Sequence, residues 1–334
     1  MAVRIINVME EHWDYLIILD ACRYDYFAAL WKNYFDGELE KRVSLASGTL
    51  KWCLESFKRY YPDVIYISGN PYINSKVEIK GFNARRHFYK VIDVWDFGWN
   101  EELGTVPPEN INKTTLSLVR KFPQKRFIIH YLQPHAPYIS REFKTIGFPN
   151  PNPKYGQVLT GIQACRVKEH LKALVNLFGN LLVKAKIIKH LWELREWLGL
   201  PPASPMDAVR RKYGVNGLRK AYRENLRIVL EHVAKLCAEL LHHKPSARIV
   251  ITSDHGELLG ENGKYSHGID EPYTLEVPWL KVKTVKRKAF DEDIHLLTRF
   301  TKPSTESYKE KLKEKIKKLK NSEKFNDAHA HEAL

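Results

Sequence analysis

A chain of 334 residues, 44% of them hydrophobic, can bury one large core or one core with a small appendage, and 54 lysines and arginines against 39 acids leave it at +15. No apolar run approaches the ~20 residues that cross a bilayer, and residues 1–9 lack a signal-peptide centre, so neither a spanning nor a secreted protein is expected and cytoplasmic residence follows as the default. Four cysteines without Cys-x-x-Cys spacing exclude a disulfide framework and a structural zinc knuckle, while the positive field draws anionic substrates, lipid headgroups or nucleic acid without choosing among them.

The first expected strand is 15–20, where Tyr15-Leu16-Ile17-Ile18-Leu19 is apolar on both faces and closes on Asp20. An acid in that place is expensive to bury without a partner, and a metal is such a partner. Helix 24–32 follows. The small-residue turn 43–48 then leads into a helix over 49–61 with Thr49 at its start. A hydroxyl there is either an N-cap or a nucleophile whose alkoxide an ion and the helix dipole stabilise. Strands at 64–68 and 91–95 and a helix at 112–121 precede strand 127–131, which runs into His130-Tyr131-Leu132-Gln133-Pro134-His135-Ala136-Pro137-Tyr138. Two prolines keep helix out of that loop and hold its imidazoles stiff.

Between 149 and 214 the character changes to a helical insertion. Its stretch 166–200 is basic and amphipathic, which fits packing on its own domain or on a second subunit, and also fits a lid or an interfacial membrane helix. Helix 218–243 has the spacing of a packing helix. Strand 248–253 then delivers Ser253-Asp254-His255-Gly256-Glu257, and His267-Gly268 follows. Asp254 and His255 stand at the carboxyl end of a buried strand, where open α/β sheets bind ligands. A hard oxygen beside an imidazole nitrogen suits zinc or manganese better than calcium. Gly256 lets the chain turn sharply past an ion. Strand 277–282 completes the alternation, and 301–334 is a Lys/Glu-rich helix with a frayed tail.

Asp20, Thr49, the loop 130–138 and Asp254-His255-Gly256-Glu257 with His267-Gly268 together resemble the alkaline phosphatase and sulfatase superfamily. The run 253–268 is similar to phosphoethanolamine transferases, and Asp20-Ala21-Cys22-Arg23-Tyr24-Asp25 resembles archaeal sulfatase-like proteins. The resemblance covers residues 13–140 and 220–285. With the alternating elements it implies an α/β fold, a doubly wound, mixed but mostly parallel sheet flanked by helices. The α/β core is expected over 1–148 and 215–300, interrupted by the insertion 149–214.

Carried over, the resemblance implies that Asp20, Thr49, Asp254 and His255 hold one divalent ion, zinc or manganese. Thr49, His135 and His267 would be catalytic. His130, His135, His267 and Arg23 would hold a second ion or meet the transferred group, with a structural ion pair to Asp25 or another carboxylate as the alternative for Arg23. No cysteine stands in a Cys-x-Pro/Ala-x-Arg signature, so sulfate hydrolysis through formylglycine is not expected. Asp20 replaces the glutamate usual in the transferases, and their membrane helices are missing. No convincing copy of the Asp-x-x-x-His pair that holds a second ion in the full two-metal phosphatase pattern is found, so one tight ion and a weaker second site are expected.

The function so implied is a metal-dependent phosphoryl or phosphodiester hydrolase or transferase that works through phospho-Thr49 on an anionic phosphate or sulfate ester, with glycan and lipid-linked substrates in view. The alternatives are a sulfatase-like hydrolase without formylglycine and an inactive relative that binds anionic membrane or nucleic acid. Nucleic acid is the weaker partner, since no basic, aromatic-interleaved repeat occurs. Oligomerisation and peripheral membrane contact through 166–200 stay open.

Overall fold

Five consecutive apolar residues, Tyr15–Leu19, are all buried, four of them wholly, so this strand lies between two covered faces. Each Leu or Ile so placed contributes about 1.5–3 kcal/mol relative to exposure. The strand is β2 of a computed structural model that describes residues 4–151 and 191–286. Its neighbours are β7 (Ile249–Thr252) and β6 (Arg126–Tyr131), both parallel to it. Beyond β6 come β4 (Tyr61–Ser68) and β5 (Phe88–Asp93), again parallel. Beyond β7 come β10 (Glu276–Val285), β3 (Phe35–Val43) and β1 (Arg4–Ile5), which gives the order β1-β3-β10-β7-β2-β6-β4-β5. Only β10 runs antiparallel to its neighbours among these eight strands. The fold is the mixed, mostly parallel sheet flanked by helices that the alternation of elements implies. A separate pair joins β8 (Leu258–Leu259) to β9 (Tyr265–Ser266).

Strand β3 is absent from the expected elements because Phe-Asp-Gly-Glu-Leu-Glu-Lys-Arg-Val carries too many charges to read as a core strand. Cross-strand partners account for them. Glu38 pairs with Lys283 at 2.7 Å, Glu40 with Lys281 at 3.3 Å, and Lys41 with Glu276 at 3.1 Å, each across the β3–β10 ladder. Gly37 admits the close approach of β10, since a Cβ there would lie 2.2 Å from the Lys281 carbonyl.

Helix α1 spans Tyr24–Leu30 and α2 spans Thr49–Ser56, so α2 ends before the expected 61 and Tyr61 instead opens β4. The strand expected at 91–95 is shifted to Phe88–Asp93, and Val94–Phe97 form a helical turn. Helix Pro108–Lys121 takes its proline at the first turn, where the missing N–H costs nothing. The long helix Pro205–His243 starts from a Ser204 cap well before the expected 218, and Gly214, at φ 70° and ψ −177°, breaks it. It packs on α1 and on helix Pro108–Lys121. One face of the sheet buries Trp13, Trp52, Phe57, Tyr66, Phe88 and Trp279.

The stretch 166–200 up to residue 190 and the whole of 301–334 lie outside the described residues. No described helix is long and apolar enough to cross a membrane.

Candidate metal centre and active site

Strands β7, β2, β6 and β4 are neighbours and parallel, so their carboxyl ends meet along one edge of the sheet. Asp20 follows β2, and Asp254 and His255 follow β7. Thr49, the first residue of α2, is buried against them. Its hydroxyl donates to Asp254 Oδ2 at 2.7 Å and lies 3.2 Å from His255 Nε2. His255 Nε2 is 3.4 Å from Asp254 Oδ2 and 3.7 Å from Asp20 Oδ1. The donor atoms of Asp20, Asp254 and His255 lie within 4.8 Å of one another. Zinc, with ligand distances of about 2.0–2.2 Å to oxygen and nitrogen, can bridge such a spread.

The backbone holds this cluster in place. Asp254 Oδ1 accepts from the amides of Ala21 at 3.1 Å and His255 at 2.9 Å, which leaves Oδ2 for Thr49. Ala21 reaches it from a left-handed conformation, φ 56°, an uncommon choice for a residue with a Cβ. Asn70, beyond the end of β4, donates to Asp20 Oδ2 at 2.6 Å. His255 Nδ1 lies 2.8 Å from the Gly256 carbonyl, which favours the tautomer with Nε2 free to bind an ion.

A second group adjoins the first. His135, Glu257 and His267 bring their donor atoms within 4.8 Å of one another, and the rings of His255 and His267 are 4.4 Å apart. Glu257 Oε1 is 3.0 Å from His267 Nδ1, and Oε2 is 3.9 Å from His135 Nε2. His135 Nδ1 lies 2.6 Å from the Ala136 carbonyl, again leaving Nε2 inward. Unlike the first group, this one reaches the surface, with the His135 and His267 side chains 19% and 28% exposed. Solvent therefore reaches the two groups from the His135 and His267 side.

Asp20, Asp254 and Glu257 are three buried acids, and none pairs with a lysine or arginine side chain among the described residues. One buried polar atom beside each group, His130 Nε2 near Asp20 and Glu257 Oε2 near His135, has no hydrogen-bond partner. Each such group costs about 1–3 kcal/mol if left so. Divalent cations fit this donor set on both counts, by charge and by the mix of carboxylate, hydroxyl and imidazole.

Burial, with Asp254 alongside, pushes the Asp20 carboxyl well above the usual carboxylate range. Burial acts the same way on Asp254, but His255, His130, the Thr49 hydroxyl and the Ala21 amide hold it below that range. Burial pushes the imidazoles of His255 and His130 down to about 4, which keeps both neutral at ordinary pH. A carboxyl raised by folding supports the fold fully below its unfolded value of about 3.9, and that support disappears as pH rises through the folded value. An ion bound at Asp20 displaces the same proton. Zinc uptake by chelator-stripped protein is therefore expected to release a proton from Asp20, with affinity rising with pH until that carboxyl ionises. Calorimetry in buffers of different ionisation enthalpy reads the proton count, and zinc uptake with no proton release at any pH where the fold holds would contradict the site.

The structure brings Asp20, Thr49, Asp254 and His255 together, and places His135 with His267. His130 sits with Asp20, its Nε2 3.8 Å from Asp20 Oδ2 and its Nδ1 2.8 Å from Tyr66 Oη, away from the His135 group with which the sequence grouped it. Arg23 forms ion pairs with two carboxylates. Its guanidinium holds Asp25 at 2.7 Å and Glu261 at 2.8 Å. Glu257 had no assigned role, although it stands two residues past His255 on the same turn. Asn70 carries no sequence signal at all, since only the β4–β6–β2 order shows that it faces Asp20.

No family model matches the chain, and no curated protein matches it. Solved structures do. One is the C-terminal periplasmic domain of phosphoethanolamine transferase EptC from Campylobacter jejuni, at 14% identity over 84% of this chain and 82% of that one, TM-score 0.41. A second is the C-terminal periplasmic domain of EptC from Escherichia coli in complex with Zn, at 12% identity over 84% and 75%, TM-score 0.44. A third is the phosphonate monoester hydrolase of Agrobacterium radiobacter, at 12% identity over 85% and 68%, TM-score 0.41. All three belong to the alkaline phosphatase and sulfatase superfamily. The expectation of cytoplasmic residence is withdrawn: it rested on missing leader and membrane segments, whereas the two EptC structures are of periplasmic domains.

Proposed function

We propose that the chain is a metal-dependent phosphoryl or phosphodiester hydrolase or transferase that uses Thr49 as its nucleophile. The observation that carries this reading is the buried Thr49 hydroxyl, 2.7 Å from Asp254 Oδ2 and beside His255, among unpaired acids. Asp20, Thr49, Asp254 and His255 would hold one ion, and His135, Glu257 and His267 a second. Bound there, zinc or manganese would lower the pKa of the hydroxyl and neutralise the nonbridging oxygens of the substrate.

The remaining work falls to the side chains. Asp254 Oδ2 fixes the hydroxyl and accepts its hydrogen bond, so the oxygen lone pair is free for in-line attack at phosphorus. As the Thr49 oxygen–phosphorus bond forms, the hydroxyl proton passes to Asp254 Oδ2, the bond from phosphorus to the ester oxygen breaks, and the leaving oxygen takes a proton from water at the open side of the site, beside His135 and His267. In the second half, water or a sugar hydroxyl loses its proton to solvent on that side and attacks phosphorus, and the Thr49 oxygen leaves and takes back its proton from Asp254. Although burial opposes it, the Glu257 carboxylate raises the proton affinity of His267, so an ion bound there competes with that proton. The +15 charge of the chain favours an anionic ester as substrate.

The test is hydrolysis of p-nitrophenyl phosphate, bis-p-nitrophenyl phosphate and p-nitrophenyl sulfate by the full chain with zinc or manganese. Turnover of a phosphate ester that chelator abolishes and metal restores is expected, and the better ester separates monoesterase from diesterase. Turnover of the sulfate ester alone would replace this reading by a sulfatase-like one. Silence on all three with metal bound would leave a transferase that requires its own donor, or an idle scaffold.

A further inference from the structure

Two side chains on the long helix Pro205–His243 touch the site without supplying a donor to it. Tyr222 and Asn225 are both fully buried and three residues apart, so they share one helix face. The Tyr222 hydroxyl donates to the Ala21 carbonyl at 2.6 Å and accepts from the Arg23 amide at 2.9 Å. It thereby pins the left-handed turn whose Ala21 amide holds Asp254 Oδ1 directly after Asp20. Asn225 acts on the other loop. Its Nδ2 donates to the carbonyls of Pro134 and His135, each at 3.1 Å, and of Pro137 at 3.2 Å, while its Oδ1 accepts from the Ile139 amide at 3.0 Å. The loop so clamped is the one that carries His135.

Building on the metal reading above, we propose that Tyr222 and Asn225 are positioning residues, one for each ion. Tyr222 sets the Asp20–Asp254 cluster and Asn225 sets the His135–Glu257–His267 cluster. One helical face then fixes the separation of the two donor groups. Each side chain acts through backbone, Tyr222 by orienting the Ala21 amide toward Asp254 and Asn225 by fixing the carbonyls on either side of the His135 ring. Two backbone bonds join the loops at Asp20, its amide to the Tyr131 carbonyl and its carbonyl to the His135 amide, each at 3.1 Å, and neither involves Tyr222 or Asn225, so loss of one clamp leaves the other in place.

The experiment is zinc titration calorimetry on the chelator-stripped full chain, with metal-free thermal unfolding as the measure of fold. Native protein is expected to take up two ions. Asn225→Leu, similar in size but without the amide, should weaken one ion by about 10–100-fold, as changes just outside a ligand shell do. Tyr222→Phe should weaken the other by a similar factor. Asp254→Asn assigns them. In that background Asn225→Leu should weaken the remaining zinc by the same factor, and Tyr222→Phe should leave it untouched. A general loss of structure would instead weaken both ions in both variants, which overturns the proposal, as would no change in either. A native chain that takes up fewer than two zinc ions overturns the two-ion reading itself, and the positioning roles with it. Asn225→Ala and Tyr222→Leu serve as second replacements where unfolding shows that the first ones have lost the fold.

Discussion

Thr49→Ala is expected to lower turnover of the preferred phosphate ester by about a thousandfold or more, in kcat rather than in KM. The substitution removes the proposed attacking atom and leaves the neighbouring donors Asp254 and His255 in place. The residual rate would come from binding and from the cations alone, which is why the loss is large but not total. Thr49→Ser keeps a hydroxyl at the start of α2 and should retain far more activity, so the pair separates chemistry from packing. Mass spectrometry of native protein quenched during turnover should find one phosphoryl group on Thr49. An alanine variant within tenfold of the native rate would remove Thr49 from the mechanism.

Asp254→Asn is expected to release the tightly held ion almost completely, a larger effect than the about 10–100-fold of a change outside the ligand shell. Asparagine can still accept from the Ala21 and His255 amides that bind Oδ1. What it cannot do is present a charged oxygen to Thr49 and to an ion, and its amide would instead direct hydrogens at the space between them. Activity should fall together with metal content, while the ion at His135, Glu257 and His267 stays. Elemental analysis after dialysis reads both. Full metal stoichiometry in the variant would refute the site.

The sequence exposed the parts of this site that lie beside hydrophobic strands. Asp20 closes Tyr15–Leu19 and Asp254 follows Ile249–Thr252, so an acid after an apolar run was visible in each case. Thr49 was legible as the first residue of a helix, and His135 as an imidazole between prolines. What one dimension withholds is adjacency. His130 looks like a companion of His135, five residues on, but strand alternation turns it toward Tyr66 and Asp20. Asn70, Tyr222 and Asn225 meet the loops only because of strand order and helix packing. Strand β3 was missed for a different reason. Its charges are satisfied by β10, more than 230 residues later, and a charge whose partner lies that far along the chain reads as solvent-facing.

The pairing of β2 with β7 has a consequence for how the molecule is made. Strand β2 is finished by residue 19, yet its central neighbour consists of residues 249–252, and the Ala21–Asp254 hydrogen bond spans 233 positions. During synthesis the apolar edge of β2 and the acid that follows it must wait for nearly the whole core to be translated. Contacts of such range close slowly, and an uncovered parallel strand invites association in the meantime. The last core strands to leave the ribosome, β7 and β10, therefore cover that edge and complete the Asp20–Asp254 cluster in one event, so an arrested or shortened chain that lacks them would present an aggregation-prone sheet and not a weakened form of the native fold.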